Sequence, residues 1–160
     1  MKELLKIGSV VSIVFGVILV VAGIWGIVFI YRKIAEEKIV TPADSFLAQK
    51  AVRGPLTLSA QADIIREHVL KMTNGKTFAE MPREIPKLSA DGKPILDQNG
   101  KPIMTENTGR DIWVTATTLT TALNLAMLTY ALCAFVIVCG LLFGGIGIVF
   151  YLLSQHFNFV

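Results

Sequence analysis

The residues of this 160-residue chain whose types could do chemistry are two histidines, a Gly-Lys-Thr triplet, a pair of glutamates and two cysteines. His68 follows Arg66 and Glu67, as in the metal-binding helix of a zinc protease. That helix needs a second histidine one turn away, and Ile64 and Met72 occupy those positions. His156 lies at the far end of the chain, which leaves His68 as a polar contact for a partner or as a titrating group. Gly75-Lys76-Thr77 ends as a phosphate-binding loop does, but the cradle of backbone N–H groups requires a glycine five residues before the Gly-Lys pair. Leu70 stands there, inside an expected helix. Glu80 and Glu84 are at helical spacing, yet Pro82 breaks the register that general acid–base work would need. Cys133 and Cys139, six residues apart on one helix, point to nearly opposite sides and make neither a CxxC motif nor an intramolecular bridge. No metal, cofactor or catalytic set is expected, and the chain does not read as an enzyme.

The elements that would hold these residues are set by two uncharged apolar runs, 25 residues at 7–31 and 29 residues at 125–153. A bilayer core of about 30 Å needs ~20 helical residues to cross, so each run predicts a span. Segment 1–6 precedes the first run and 154–160 follows the second. The first run exceeds the ~7–15 residues of a signal-peptide apolar region, so it is expected to act as an uncleaved signal-anchor. Trp25 and Tyr31 suit the headgroup boundary on the loop side, as does Tyr130. The segment between the runs, 32–124, holds 13 Lys/Arg and 11 Asp/Glu, well mixed, so no basic stripe for nucleic acid exists. Loops beyond ~60 residues are largely exempt from the positive-inside rule. Lys2 and Lys6 then favour both termini in the cytoplasm of a bacterial plasma membrane, with the loop outside.

Within the loop, Leu58, Ala62, Ile65, Val69 and Met72 recur at helical intervals and predict an amphipathic helix over about 57–73. Thr57 or Ser59 would cap its start, and Asn74-Gly75 its end in a left-handed turn. Thr77-Phe78-Ala79-Glu80 is a capping box that predicts a short helix at 77–81. Asp91-Gly92-Lys93-Pro94-Ile95-Leu96 returns eight residues later as Asn99-Gly100-Lys101-Pro102-Ile103-Met104, which predicts a hairpin-like insertion over 89–106. The fold class expected is mainly α: an antiparallel hairpin of two transmembrane helices flanking a small helical extracytoplasmic domain.

The spans carry no Asp, Glu, Lys, Arg or His in their cores, which argues against ion paths and proton relays. Their informative residues are small. Gly8, Ser12 and Gly16 stand at intervals of four with Gly23 seven further on, and Gly140 and Gly144 form a GxxxG pair. Small residues let helix backbones approach where lipid supplies no hydrophobic drive, so these six mark expected packing faces. Leu58, Ile65, Val69 and Met72 are the expected buried face of the loop helix. His68 and Trp113 are the candidate contacts for a partner.

Four blocks of the loop carry a resemblance: Arg53-Gly54-Pro55-Leu56-Thr57, Ala60-Gln61-Ala62-Asp63-Ile64-Ile65-Arg66-Glu67-His68, Thr73-Asn74-Gly75-Lys76-Thr77-Phe78-Ala79-Glu80-Met81-Pro82-Arg83-Glu84 and Trp113-Val114-Thr115-Ala116-Thr117-Thr118-Leu119. They resemble a family of small two-span actinobacterial membrane proteins without settled function, some labelled aromatic ring-opening dioxygenases. The likeness covers about residues 41–134 and implies two spans with the loop on the outer face. It implies no activity, because the two-histidine-plus-carboxylate iron set of such a dioxygenase is missing. The reading that follows is a non-catalytic accessory or assembly subunit of a larger membrane complex. Its expected partners are membrane lipids and other integral membrane subunits, as in a respiratory or envelope lipid-transport complex. The alternative is a membrane-anchored ligand-binding or sensory module using the loop.

Overall fold

The computed structural model describes residues 2–156; Met1 and 157–160, parts of the two flanking segments, lie outside them. The chain is mainly helical, with two long apolar helices and a small strand pair. Helix α1 spans Lys2–Glu36, α2 spans Pro55–Met72 and α3 spans Thr108–His156. At 1.5 Å per residue α1 is roughly 50 Å long and α3 roughly 75 Å. Both are long and apolar enough to cross a bilayer. The longer helix outruns the shorter, and the excess is the scaffold on which the loop folds.

α1 and α3 pack antiparallel along a seam of small residues. Ser9, Gly16 and Gly23 are the buried residues of α1 along this stretch, and Gly140, Gly147 and Ser154 those of α3, each series stepping by seven. A Cβ on Gly16 would lie 2.6 Å from the Gly140 carbonyl oxygen, and one on Gly147 would lie 2.9 Å from that of Ser9. The helix backbones therefore touch. A seven-residue period keeps two helices in contact only when they supercoil left-handedly. The four-residue spacing drifts off such a seam, so Gly8, Ser12 and Gly144 flank its centre and do not form it. Gly8 lies on the flank near the Phe150 ring (3.4 Å from a would-be Cβ), and Ser12 is only partly buried. Gly144 offers its backbone to Gly16, but its own missing Cβ faces open space.

Toward its N-terminal end α3 changes from small residues to large ones. Leu123 and Tyr130 join Ile34, Val52, Leu58 and Ala62 in one core, while Trp113 and Ala116 join Val69 and Met81 in another. Ile65 packs against both. Helix α2 starts at Pro55 after Gly54, not at Thr57 or Ser59. Proline suits a first helical position because its missing N–H has no partner there. Thr57 instead sits one turn in, where its Oγ1 accepts hydrogen bonds from the N–H groups of Arg53 (3.0 Å) and Gly54 (3.2 Å). At the other end Met72 is 65 % exposed, contrary to its expected place in the buried face. The helix stops there. Thr73 takes the buried position, its Oγ1 donating to the Lys76 carbonyl at 2.7 Å and lying 2.9 Å from that of Val69. Asn74 (φ 52°) and Gly75 (φ 76°) then turn the chain away through the left-handed region.

The short helix is a single 3₁₀ turn, Phe78–Glu80, closed as its capping box predicts by the Thr77 N–H donating to Glu80 Oε2 at 2.7 Å. The insertion has three arms where two were expected. Strand β1 (Glu84–Pro86) pairs antiparallel with β2 (Met104–Glu106), setting Pro86 opposite Met104. Leu88 pairs with Pro94 and Leu96 with Pro102 in the same manner. Lys87 N–H donates to Ile103 O, Ile103 N–H to Ile95 O and Ile95 N–H to Lys87 O, each at 2.8 Å, which closes a ring. The repeat thus has a third, degenerate copy at Pro86-Lys87-Leu88, and the unit runs over 84–106.

Because Gly16 meets backbone on the facing helix, Gly16→Ala is expected to destabilise the hairpin by about 1–3 kcal/mol, as overpacking does. Gly144→Ala is expected to leave it within about 0.5 kcal/mol. Thermal unfolding of both variants in mild detergent, followed by circular dichroism, measures the difference.

Candidate functional site

Two surfaces collect the residues singled out by sequence. One is the junction where the loop is fastened to the long helices; the other is a groove along the hairpin.

The junction is organised by Arg53. Its carbonyl accepts a hydrogen bond from Tyr130 OH at 2.6 Å, and its Nη1 donates to Tyr31 OH at 3.1 Å. The two tyrosines expected at the headgroup boundary therefore sit at one level, joined by a single loop residue. Upstream of Arg53, residues 39–52 are tied into a closed loop by Thr41. Its Oγ1 accepts from the Lys50 N–H at 2.9 Å and donates to the Leu47 carbonyl, while Val52 N–H donates to Ile39 O at 2.9 Å. Thr41 and Ser45 are buried within it.

His68 is half-exposed on α2, and its Nε2–H donates to Asp44 Oδ2 at 2.7 Å. A carboxylate can only accept, which fixes the nitrogen that carries the proton. This hydrogen bond holds the Asp44 carboxyl below its ordinary value of 3.8. One turn on, Lys71 donates to Glu67 Oε1 at 2.6 Å, and that bond raises the lysine above its ordinary value. Glu80 is lowered by the N–H of Thr77 and then by its hydroxyl. His68 is thus committed to a clasp between the loop and α2, and it reaches no second histidine. Among the described residues, no three His, Cys, Asp or Glu side chains converge as a metal site.

Trp113 corrects an expectation. It is buried at 6 % exposure, so it is not a surface contact for a partner. Its indole N–H donates to the Lys76 carbonyl at 2.9 Å, and the Arg66 guanidinium stands 5.7 Å from its ring. Its task is to lock the end of α2 onto α3, where Tyr and Trp side chains satisfy their polar atoms as a rule.

The groove lies between α1 and α3. Ile13, Val17, Val21, Leu141 and Ile148 form its walls, Gly144 and Gly145 are part of its floor, and it encloses about 510 Å³. A Cβ on Gly144 or Gly145 would meet nothing within 4 Å. Gly23, Gly26, Gly140 and Gly147 are different, since a Cβ on any of them would lie within 3.0 Å of the facing helix. The glycines therefore divide into those the hairpin uses and those it leaves open.

No protein-family model, curated protein or solved structure matches this chain. The site is accordingly read from its own geometry.

Sequence reasoning missed Ser9, Gly147, Arg53 and Asp44 as working residues. The first two were legible, since Gly16/Gly23 and Gly140/Gly147 share a seven-residue step. Asp44 carries no such signal, because its partner lies 24 residues away across two turns.

The clasp predicts a pH dependence. Folding lowers the Asp44 pKa, so the clasp's contribution is present above 3.8 and is lost as the pH falls through the lower folded value. Asp44→Asn is expected to melt below wild type at about pH 6, with the gap closing in acid. Melting curves across that range check it.

Proposed function

We propose that this chain is a two-span accessory subunit of a larger bacterial membrane complex, anchored by α1 and α3, with the loop domain on the outer face. The carrying observation is the open pair Gly144-Gly145 at the floor of an apolar groove. Glycine inside a helix is disfavoured by about 1 kcal/mol relative to alanine. Gly16, Gly140 and Gly147 recover this through close approach that a Cβ would block; the Gly144 backbone also lies against Gly16, but a Cβ on Gly144 or Gly145 would block nothing within the hairpin. Small-floored grooves are where membrane helices approach one another closely, so the fitting occupant is a helix of another integral membrane subunit.

The rest of the chain supports an accessory role. Its chemistry-bearing side chains are engaged in structural bonds: His68 with Asp44, Glu80 with Thr77 and Trp113 with Lys76. The ordered blocks that resemble two-span actinobacterial proteins agree with the layout. A respiratory or envelope lipid-transport complex remains the class of host that fits.

The test uses the open glycines. A Cβ on Gly145 meets nothing within 4 Å and the groove beyond it is open, so Gly145→Leu is expected to match the wild-type stability in detergent within about 0.5 kcal/mol. It is also expected to lose the membrane subunit that co-purifies stoichiometrically with wild type from native membranes. A wild-type chain recovered only as a monomer, or a Gly145→Leu chain that keeps its partner, would refute the proposal.

A further inference from the structure

Between α2 and the first turns of α3 lies a recess of about 210 Å³, lined by Asp63, Arg66, Trp113, Thr117, Thr120 and Asn124. It shares no residue with the glycine groove. Its volume is below the ~300–1,000 Å³ of drug-sized sites, so its occupant is small. Asp63, Arg66, Thr117 and Asn124 are exposed residues, open to a solute.

Asp63 and Arg66 stand three apart on one helix, a spacing at which opposite charges pair. Here they do not. Asp63 Oδ2 accepts from the Ser59 hydroxyl at 3.3 Å, and the Arg66 guanidinium lies over the Trp113 ring at 5.7 Å. A ring face takes none of the five N–H donors of a guanidinium. Neither charge has an ionic partner among the described residues. On α3, Thr115, Thr118 and Thr120 each turn the hydroxyl back to the carbonyl four residues before. The Thr117 hydroxyl and the Asn124 amide make no hydrogen bond among the described residues, so both are spare donors.

The two signs decide the class of ligand. A simple anion would meet Asp63 as a like charge, and a simple cation would meet Arg66. A molecule carrying both signs meets both. The order of the charges then separates a solute from a lipid. α2 climbs away from the spans, since Leu58 shares a core with Leu123 and Val69 shares one with Trp113. Asp63 is therefore nearer the apolar run than Arg66, by about 4.5 Å along the helix. In a zwitterionic phospholipid the phosphate adjoins the glycerol and the ammonium lies beyond it. A head group rising from the bilayer would set its phosphate against Asp63 and its ammonium against Arg66. A free solute is under no such constraint.

We propose that this recess binds the zwitterion of a small free α-amino acid, its carboxylate on Arg66 and its ammonium on Asp63. Thr117 and Asn124 add neutral donors to the carboxylate, and the carbon of Ala62, Ala116 and Trp113 faces the rest of the molecule. Only the exclusion of lipid rests on reading α1 and α3 as membrane spans.

The experiment is isothermal titration calorimetry of the full chain in mild detergent with L-alanine, propionate and ethylamine, the zwitterion and its two single-charge fragments. L-Alanine is expected to bind about tenfold more tightly than either fragment, the worth of one charge-assisted hydrogen bond. Asp63→Asn is expected to reduce L-alanine to the affinity of propionate, and Arg66→Gln to that of ethylamine. If Arg66→Gln melts below wild type for want of its ring contact, Asp63→Asn carries the test. L-Alanine binding no tighter than the fragments overturns the proposal, and so does undiminished binding by a stably folded Asp63→Asn chain. Native mass spectrometry with added phosphatidylethanolamine reads the rival source. Lipid retention that Arg66→Gln abolishes, with no response to L-alanine, gives the recess to a head group and overturns the proposal.

Discussion

A Cβ on Gly16 would sit 2.6 Å from the carbonyl oxygen of Gly140, and a Cβ on Gly140 would sit 2.7 Å from that of Gly16. Reciprocal exclusion of this kind leaves no slack in the register of the two helices. Sliding one helix by a residue would drive a β-branched side chain into a backbone. In lipid there is little hydrophobic drive to bring apolar helices together, so dispersion between closely spaced atoms supplies the attraction, and it falls off within an ångström of lost contact. The seam thus does what a core of bulky side chains does in water. Because it fixes the register, it also fixes where α1 ends relative to α3, and hence how much of α3 is left to carry the loop.

That remainder makes the loop dependent on the hairpin. The stripe of α2 formed by Leu58, Ala62, Ile65 and Val69 is covered by Leu123, Trp113 and Ala116, all residues of α3. The segment 32–124 carries all three on the first turns of α3, and what it lacks is the anchor that Tyr130 provides to Arg53 from within the apolar run. The loop folds onto the start of α3, which it shares with the hairpin. Its polar closures follow the same plan. Tyr130, Trp113, Arg110 and Thr73 each bond to a main-chain carbonyl distant from an element's own ladder, at Arg53, Lys76, Met81 and again Lys76. Irregular backbone is held by side chains that reach out from regular backbone.

The sequence made the two long helices plain, because 25 and 29 uncharged residues admit few other readings. It also made plain the capping box at Thr77, the left-handed stop at Asn74-Gly75 and three of the four proposed buried positions on α2. Met72 failed because periodicity says where a side chain points if the helix goes on, and this one ends. Trp113 failed because an aromatic residue near a boundary serves an interface and a core equally well until its neighbours are known. The glycines failed in an instructive way. Intervals of four and of seven coexist in both runs, and a single strand of sequence does not say which one the facing helix will read. Only the pairing of two seven-residue series, Ser9-Gly16-Gly23 with Gly140-Gly147-Ser154, selects the left-handed seam. The third arm of the insertion was hidden for a similar reason: Pro86-Lys87-Leu88 lacks the preceding Gly-Lys of its two sisters and shows itself only by its partners.

The glycines left over carry the argument about what the molecule is for. In a chain shaped by its own fold alone, a helical position with empty space beside it gains from any side chain, since alanine stiffens the unfolded chain and favours the helix. Gly144 and Gly145 forgo that gain side by side in the C-terminal third of α3, and although the Gly144 backbone lies against Gly16, a Cβ on either would meet nothing inside the chain. A local rule broken without internal compensation points to a contact outside the molecule.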